Sequence, residues 1–329
     1  GELAGDYSGY AVANAGDVNG DGFDDIIIGA PSNDAAGANA GRAYVVFGGT
    51  GGYGNFDLSQ LSVAGNSLGF VIKAPAAANA MYGFAVSGAG DINGDGLADV
   101  VVGNRGGYTS DGTNRAIELT STGGGYGFVV FGRSSTDAVN LSGLSANSNT
   151  DGFMVSNGFY NGWSVTNAGD MNGDGLDDLA VTSPQANSRQ GIAYVVYGKT
   201  SGNVVVASSL TGSSDGFAIT GGIIDGTAAN LASVSSGDVN GDGLSDLIMG
   251  AWYTGNSTGS TYVLYGNSNN TVSHNVTLSA IDAAGSTLGF RIKGEATNPF
   301  ITLAGVADIN GDGLDDVLLQ NTRKIGRAH

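Results

Sequence analysis

The chain has 329 residues, of which 41% are hydrophobic, 59 are glycine and none is cysteine, and its formal net charge at pH 7 is −18. The absence of cysteine excludes disulfides and thiolate metal sites, and the acidic charge argues against nucleic acid as a partner, because phosphate binding needs a basic surface. No apolar run reaches the roughly 18 residues of a membrane helix, so membrane insertion is not expected.

An acidic segment recurs five times along the chain. GDVNGDGFDDIIIGAP begins at Gly16, and related segments begin at Gly90, Gly169, Gly237 and Ala307, at intervals of 68 to 79 residues. A recurrence of this size indicates one structural unit used repeatedly, so we expect one array over residues 1–324 rather than two unrelated domains. The sequence starts at Gly1, with no initiator Met and no signal-peptide pattern. We therefore expect that it begins inside a larger protein.

Each repeat predicts four β-strands. The first alternates in polarity before the acidic segment and carries a large apolar residue, interpreted as a core position, at Tyr10, Phe84, Trp163, Leu231 and Ile301. The second is a continuous apolar run after the segment, the third ends at Gly48, Gly132, Gly198 and Gly266, and the fourth begins at Gly69, Gly152, Gly216 and Gly289. This pattern predicts an all-β fold, a β-propeller of four-stranded antiparallel blades. About four and a half blades are present, because the fifth copy stops after its second strand, near Thr322.

The acidic segment also predicts a calcium-binding loop. Counted from its first Asp, oxygen side chains stand at positions 1, 3, 5 and 9, a glycine at 6 allows a sharp turn, and position 7 would offer its backbone carbonyl. The candidate ligands are Asp17, Asn19, Asp21, Phe23 and Asp25; Asp91, Asn93, Asp95, Leu97 and Asp99; Asp170, Asn172, Asp174, Leu176 and Asp178; Asp238, Asn240, Asp242, Leu244 and Asp246; and Asp308, Asn310, Asp312, Leu314 and Asp316. We therefore expect up to five structural Ca²⁺ ions.

Three other interpretations explain these loops less well. An EF-hand needs a glutamate at position 12, where this chain has apolar residues such as Ile28. Asp-Gly and Asn-Gly are good turn formers, but turn formation does not explain three carboxylates at the same offsets five times. Magnesium fits less well because it prefers rigid octahedral sites. Five bound Ca²⁺ ions would change the formal charge from −18 to −8.

With these residues in hand, the repeats resemble the FG-GAP family, which builds the propeller of integrin α chains and of many bacterial extracellular proteins. The FG element stands at Gly9-Tyr10, Gly83-Phe84 and Gly162-Trp163, and the GAP element is intact at Gly29-Ala30-Pro31. The resemblance implies a seven-bladed propeller, of which this chain is a fragment. It also implies calcium loops on one face, ligand recognition on the opposite face, and an extracellular or cell-surface location of the bacterial type.

Several motifs look catalytic and are interpreted otherwise. Residues 65–69 and 212–216 match G-x-S-x-G, and Gly49, Gly51 and Gly54 match G-x-G-x-x-G, but no helix is predicted after them, so we interpret them as turns and a loop. His274 lies in a polar connector, and Trp252 is a surface candidate for stacking on a sugar. Residues 104–125, with Arg105, Asp111, Arg115 and Glu118, are a recognition loop or a neutral length variation.

The leading functional hypothesis is a calcium-stabilised extracellular binding or adhesion module, not an enzyme, with a protein or glycan ligand and no indication of a homo-oligomer. The alternatives are an accessory or platform propeller of a secreted phospholipase or polysaccharide-degrading enzyme, and a passive spacer. Residues 325–329, IGRAH, match the translated opening of a common sequencing adapter. We interpret them as a non-native tail rather than a genuine basic terminus.

Overall fold

The fold is that of a computed structural model, described for residues 1–51, 54–76, 78–104, 125–156, 164–210, 213–252, 259–268, 275–294 and 301–321. Trp163, His274, residues 105–124 and the tail 325–329 lie outside these ranges, so the predictions made for them remain untested. Within the same ranges, no helix has both the length and the apolar character needed to span a bilayer.

The predicted four-stranded units are confirmed in the first four repeats, and the fifth repeat contributes a two-stranded hairpin. The strands in order are β1 Ala11–Gly16, β2 Asp25–Ala30, β3 Arg42–Val46 and β4 Gly69–Lys73; β5 Tyr82–Gly90, β6 Asp99–Asn104, β7 Gly127–Val130, β8 Val139–Asn140 and β9 Gly152–Ser156; β10 Val165–Gly169, β11 Asp178–Ser183, β12 Ile192–Val196, β13 Val205–Val206 and β14 Gly216–Thr220; β15 Ile223–Ile224, β16 Thr227–Ala228, β17 Leu231–Gly237, β18 Asp246–Ala251, β19 Ser260–Leu264, β20 Asn275–Thr277 and β21 Gly289–Lys293; and β22 Ile301–Ala307 and β23 Asp316–Asn321. Within each four-stranded unit, neighbouring strands pair antiparallel, so the described structure is all-β with propeller-type blades.

Three blades gain a fifth strand that the sequence did not predict. Strand β8 of the second repeat pairs parallel with β4 of the first, β13 of the third repeat with β9, and β20 of the fourth repeat with β14. In each case the added strand lies in the connector between the third and fourth strands of its own repeat, and it pairs with the fourth strand of the repeat before it. Each of these connectors therefore ties one blade to the blade before it.

The hydrophobic core lies between successive blades. After each added strand the connector forms a short helical turn, Gly143–Ser145, Ala207–Ser209 or Leu278–Ile281, and the turn contributes buried side chains such as Leu144 and Ile281 to the cluster between the two blades. The corresponding turn of the first repeat, Leu58–Ser62, instead packs on the first blade itself, in a separate cluster with Tyr44 and Val71.

The interpretation of Tyr10 as a core residue is wrong. Tyr10 is 57% exposed and Val12 is 59% exposed, whereas the residues equivalent to Val12, Val86 and Val165, are buried. Val86 and Val165 lie in the clusters shared with the preceding blade. Among the described residues no blade packs against this side of the first strand, so Val12 stays exposed, and Tyr10 instead contacts the ring of Phe84 with centroids 5.1 Å apart.

Candidate metal centre

All five acidic loops are described, and each joins the first strand of its repeat to the second. In the first loop, Asp17 Oδ1 accepts hydrogen bonds from the backbone N–H of Gly20 and Asp21 at 2.8 and 3.0 Å, and Asp17 Oδ2 accepts one from Gly22 at 2.8 Å. The position-1 aspartates of the other loops face inward in the same way, and Gly94 and Gly96, for example, donate to Asp91 at 2.7 and 2.9 Å. The first carboxylate therefore lies inside the turn.

Positions 3 and 5 also face inward. Asn19 Oδ1 accepts the N–H of Asp21 at 2.8 Å, Asn19 Nδ2 donates to Asp21 Oδ2 at 2.9 Å, and Asp21 Oδ1 accepts the N–H of Phe23 at 3.0 Å. The loops that begin at Asp91, Asp170 and Asp238 repeat all three bonds. The fifth loop differs in one, because Asn310 Nδ2 donates to Asp316 at 3.5 Å instead.

The position-9 aspartate closes each loop from the second strand. Asp99 Oδ2 accepts the N–H of Ile92 at 2.9 Å, and Asp99 Oδ1 accepts the N–H of Gly132, at the end of the third strand, at 2.7 Å. Asp25, Asp178 and Asp246 make the equivalent pair of bonds. This carboxylate therefore joins the loop to the third strand of its own blade.

Burial and neighbouring charges act on the position-9 carboxylates. Burial, and to a smaller extent the charges of Asp95 and Asp91, raise the pKa of Asp99 to about 7 against two opposing backbone hydrogen bonds. The same causes raise the pKa of Asp178 to about 8 and that of Asp246 to about 6. Without a counter-ion, three carboxylates so close together disfavour one another's ionised forms.

The donor set of each loop fits a hard divalent cation such as Ca²⁺: three carboxylates, one amide oxygen and one backbone carbonyl. In the described part of the chain, however, no group of three or more His, Cys, Asp or Glu side chains is arranged to hold a metal ion. The carboxylates instead accept hydrogen bonds from backbone N–H groups and, at position 5 of the first four loops, also from the side-chain amide at position 3. Asp17 Oδ1 already accepts two hydrogen bonds, but an oxygen that accepts one, such as Asp17 Oδ2, keeps a second lone pair for a ligand. Calcium binding by these residues therefore stays a prediction.

Sequence reasoning missed the role of position 2. The side chains of Val18, Ile92 and Met171 are buried, and their backbone carbonyls accept N–H groups from the next blade, of Arg133, Lys199 and Asn267, at 2.7 to 2.8 Å. The signal was present in the sequence, because position 2 is apolar in every copy although it lies between acidic residues. Position 2 anchors the loop to two blades.

A cavity of about 330 Å³ lies between the third and fourth blades, lined by Pro184, Gln185, Arg189, Thr227, Ala228, Asn230 and Trp252. The lining residues follow β11 or β18, or precede β17, whereas the acidic loops join these strands at their other ends. The cavity is therefore at the end of the blades opposite the candidate metal loops. It includes Trp252, which the sequence singled out.

The rim of this cavity contains an unusual backbone segment. Asn187, Ser188 and Arg189 are consecutive and have φ of 50°, 56° and 67°, and Asn230 has φ of 53°. The left-handed region costs a non-glycine residue about 1–2 kcal/mol, and strain of this kind clusters at functional sites. Arg189 is exposed, and the amide of the buried Asn230 donates to the carbonyl of Pro184 at 3.3 Å.

Together, the fold and the loops define a class of protein: an all-β array of propeller-type blades with an acidic loop between the first two strands of every repeat. The family described as FG-GAP repeat matches residues 8–46, 82–129, 161–196 and 230–264. The chain therefore belongs to the FG-GAP repeat family and resembles integrin α chains.

Three relatives illustrate the likeness. Integrin alpha pat-2 of Caenorhabditis briggsae is 27% identical over 267 residues, which is 77% of this chain and 18% of that protein. Integrin alpha-4 of Xenopus laevis is 26% identical over 75% of this chain and 20% of the relative, and integrin alpha-E of Mus musculus is 37% identical over 30% of this chain and 8% of the relative. The chain thus matches a fifth or less of the length of these relatives.

Proposed function

We propose that this chain is a calcium-stabilised, non-catalytic adhesion module of an extracellular or cell-surface protein. The observation that carries the proposal is the repetition of one inward-facing arrangement of carboxylates in five loops, each closed by a hydrogen bond from the position-2 N–H to the position-9 aspartate. The relatives named above are integrin α chains rather than enzymes, which supports an adhesion role over the accessory domain of a hydrolase.

Calcium would act here by holding strands together. It would replace mutual repulsion among the three carboxylates of each loop with attraction to one ion. The residues that would hold it are the position 1, 3, 5 and 9 side chains and the position-7 carbonyl. A ligand that binds only the folded state at ten times its dissociation constant adds about 1.4 kcal/mol. Five such sites would add roughly 7 kcal/mol, which is comparable with the whole stability of a typical domain.

The first experiment is thermal unfolding at pH 7.5 with calcium, with EGTA, and with magnesium added back after EGTA. We expect the Tm to fall by about 10 °C or more in EGTA, to return with calcium, and to return only in part with magnesium. A Tm that is the same with and without calcium would reject the structural role of the ion.

We place the ligand-binding surface of this module at the cavity between the third and fourth blades. The cavity combines an aromatic ring, Trp252, with the exposed guanidinium of Arg189 and the side chain of Gln185. An aromatic surface edged by planar polar groups suits a peptide side chain or a sugar ring. The strained turn at residues 187–189 is consistent with a functional rim.

The second experiment screens the calcium-loaded protein on glycan and matrix-protein arrays, and then tests Trp252→Ala and Arg189→Ala against any hit. Val63→Ala is the matched control, because Val63 is an exposed apolar residue in the first repeat. We expect both cavity variants to reduce binding at least tenfold and the control to leave it unchanged. Equal binding by all variants would move the ligand site elsewhere, and no binding on any array would favour the passive spacer.

A further inference from the structure

Consecutive acidic loops are hydrogen-bonded to one another. In all four successive pairs, the backbone N–H at position 8 of one loop donates to the backbone carbonyl at position 1 of the loop before it. These bonds run from Ala98 to Asp17 at 3.0 Å, from Asp177 to Asp91 at 3.2 Å, from Ser245 to Asp170 at 3.0 Å and from Asp315 to Asp238 at 2.9 Å. The five loops therefore form one continuous hydrogen-bonded series.

In two of these pairs a carboxylate adds a second bond in the opposite direction. Asp177 Oδ2 accepts the N–H of Asp91 at 2.8 Å, and Asp315 Oδ2 accepts the N–H of Asp238 at 2.9 Å. A hydrogen bond to an ionised acceptor is about twice as strong as a neutral one. Both backbone groups of the position-1 residue are then held by the next loop.

The fit between these loops leaves little room for movement. A methyl group placed on Gly90, just before Asp91, would lie 2.0 Å from Asp177 Oδ2, and one placed on Gly237 would lie 2.4 Å from Asp315 Oδ2. The second loop also meets the third at Gly94, three residues after Asp91. A methyl group on Gly94 would lie 2.8 Å from Cδ2 of Leu176, the position-7 leucine of the third loop. The position-1 residue is enclosed by the following loop.

We propose that Asp177 and Asp315 are positioning residues, which fix the first calcium ligand of the preceding loop and so set the calcium affinity of that loop. This inference rests on the proposed calcium binding. Each aspartate fixes the backbone from which the ligand side chain projects, and it places a further negative charge beside the candidate site. The loops that begin at Asp91 and Asp238 are therefore coupled to the loop that follows each of them, because a side chain of that later loop supports their first ligand.

The test follows each loop separately by hydrogen exchange and mass spectrometry during a calcium titration of the full chain. Asp177→Ala should raise the calcium midpoint of peptides covering residues 91–99 about tenfold, and it should leave residues 170–178, its own loop, within twofold of the parent. Asp177→Asn keeps an acceptor for the N–H of Asp91 and should recover most of the loss. A merely structural defect would shift the calcium midpoints of both loops, and Asp177→Asn would not restore them.

Asp24→Ala is the matched control. Asp24 is the position-8 aspartate of the first loop, but its carboxylate accepts a hydrogen bond from Asn14 of its own repeat at 3.2 Å. The Asp24→Ala variant should therefore leave the calcium midpoint of residues 91–99 unchanged. The converse variant, Ala98→Asp, introduces a carboxylate beside the first loop and should lower the midpoint of residues 17–25.

The outcomes separate the two proposals. If the loops of the parent chain respond to calcium but Asp177→Ala leaves residues 91–99 unchanged, the coupling is overturned and calcium binding stands. A shift confined to residues 170–178 overturns it equally, because the aspartate would then serve only its own loop. If no loop of the parent chain responds to calcium, the proposed function fails and the coupling fails with it.

Discussion

At the scale of single residues, the acidic loops depend on where side chains are absent as much as on where carboxylates are present. Gly90 has φ of +69°, a conformation that side chains of L-residues rarely adopt, and it faces the carboxylate of Asp177. A glycine at this position meets two requirements at once, because it allows the turn and admits the neighbouring loop. Gly16 and Gly169 meet the same two requirements, with φ of +73° and +62° and a close approach of the following loop, whereas Gly237 meets only the second.

We expect Gly90→Ala to destabilise the protein by about 1–2 kcal/mol more than Gly285→Ala. Both glycines have positive φ, +69° and +77°, but a methyl group on Gly285 would meet no atom within 4 Å. The control therefore carries the backbone strain without the collision. Urea unfolding in saturating calcium measures both values, and equal losses would show that the contact with Asp177 does not constrain this position.

The buried aspartates predict an inverted pH dependence for the metal-free protein. Burial raises the pKa of Asp99 to about 7 and that of Asp178 to about 8, whereas an unfolded aspartate titrates near 3.9. Between pH 4 and 7 the folded state thus keeps protons that the unfolded state has released. The free energy of unfolding must then fall as pH rises through this window.

Urea unfolding of metal-stripped protein at pH 5 and pH 7.5 tests this sign. We expect greater stability at pH 5. Asp225, whose pKa is lowered chiefly by a hydrogen bond from Arg291, does not oppose the trend, because its contribution changes only below about pH 4. Saturating calcium should reverse the trend, since protons compete with the ion for the same oxygens. Greater stability of the metal-free protein at pH 7.5 would contradict the argument.

At the scale of elements, the connector before each fourth strand is part of the core. Leu141 follows β8 and is fully buried in the cluster between the first and second blades, and its N–H donates to the carbonyl of Lys73 in the first blade at 3.0 Å. The connector thus contributes both a parallel strand and apolar side chains to the preceding blade. It adds to the other links between these blades, which include side-chain packing, the acidic loops and the hydrogen bond from the N–H of Tyr82 to the carbonyl of Ala40 at 2.9 Å.

Leu141→Ala should therefore destabilise the protein by about 2–4 kcal/mol, the cost expected for a core leucine. Val206→Ala is the control, because Val206 belongs to the equivalent added strand β13 but is 40% exposed. We expect it to cost less than about 1 kcal/mol. Guanidinium unfolding measures the free energy of unfolding of both variants. A loss for Leu141→Ala as small as that for Val206→Ala would mean that the connector is only peripheral.

The sequence predicted the antiparallel strands but not the added parallel ones. The predicted strands either alternate in polarity or carry continuous apolar runs such as Ile26 to Ile28, and both patterns can be recognised without knowledge of the neighbouring strands. Strand β8 is two residues long and pairs with β4 of another repeat. A pairing this short and non-local leaves no periodic signal. The contact between Asp177 and Asp91, 86 residues apart in sequence, was unpredictable for the same reason.

The candidate metal loops were predictable because all their ligand positions lie within nine residues. The cavity was not, because its lining residues come from separate segments of two repeats. Only Trp252 was identified beforehand, from its residue type. The error at Tyr10 has a similar origin, since repetition indicates equivalent positions but does not show whether a neighbouring blade is present to bury them.

At the scale of the whole molecule, the charge of −18 is concentrated in the loops, because the three aspartates at positions 1, 5 and 9 of five loops account for 15 of the 30 acidic residues. The loops are also adjacent to one another, as the bonds between Asp91 and Asp177 show. Without calcium, the molecule therefore gathers much of its charge along one end of the blades, where self-repulsion opposes the compact state.

This concentration of charge predicts a difference between salt and calcium. Raising choline chloride from 0.05 to 0.5 M shortens the Debye length from about 14 Å to about 4 Å, which screens repulsion between loops but acts less on carboxylates inside one loop. The Tm of metal-free protein should rise by several degrees. Calcium at 1 mM adds almost no ionic strength, yet it should raise the Tm further than the salt does and make it insensitive to added choline chloride. If the salt alone restored the full calcium-loaded Tm, general repulsion would explain the instability and the loops would need no bound ion.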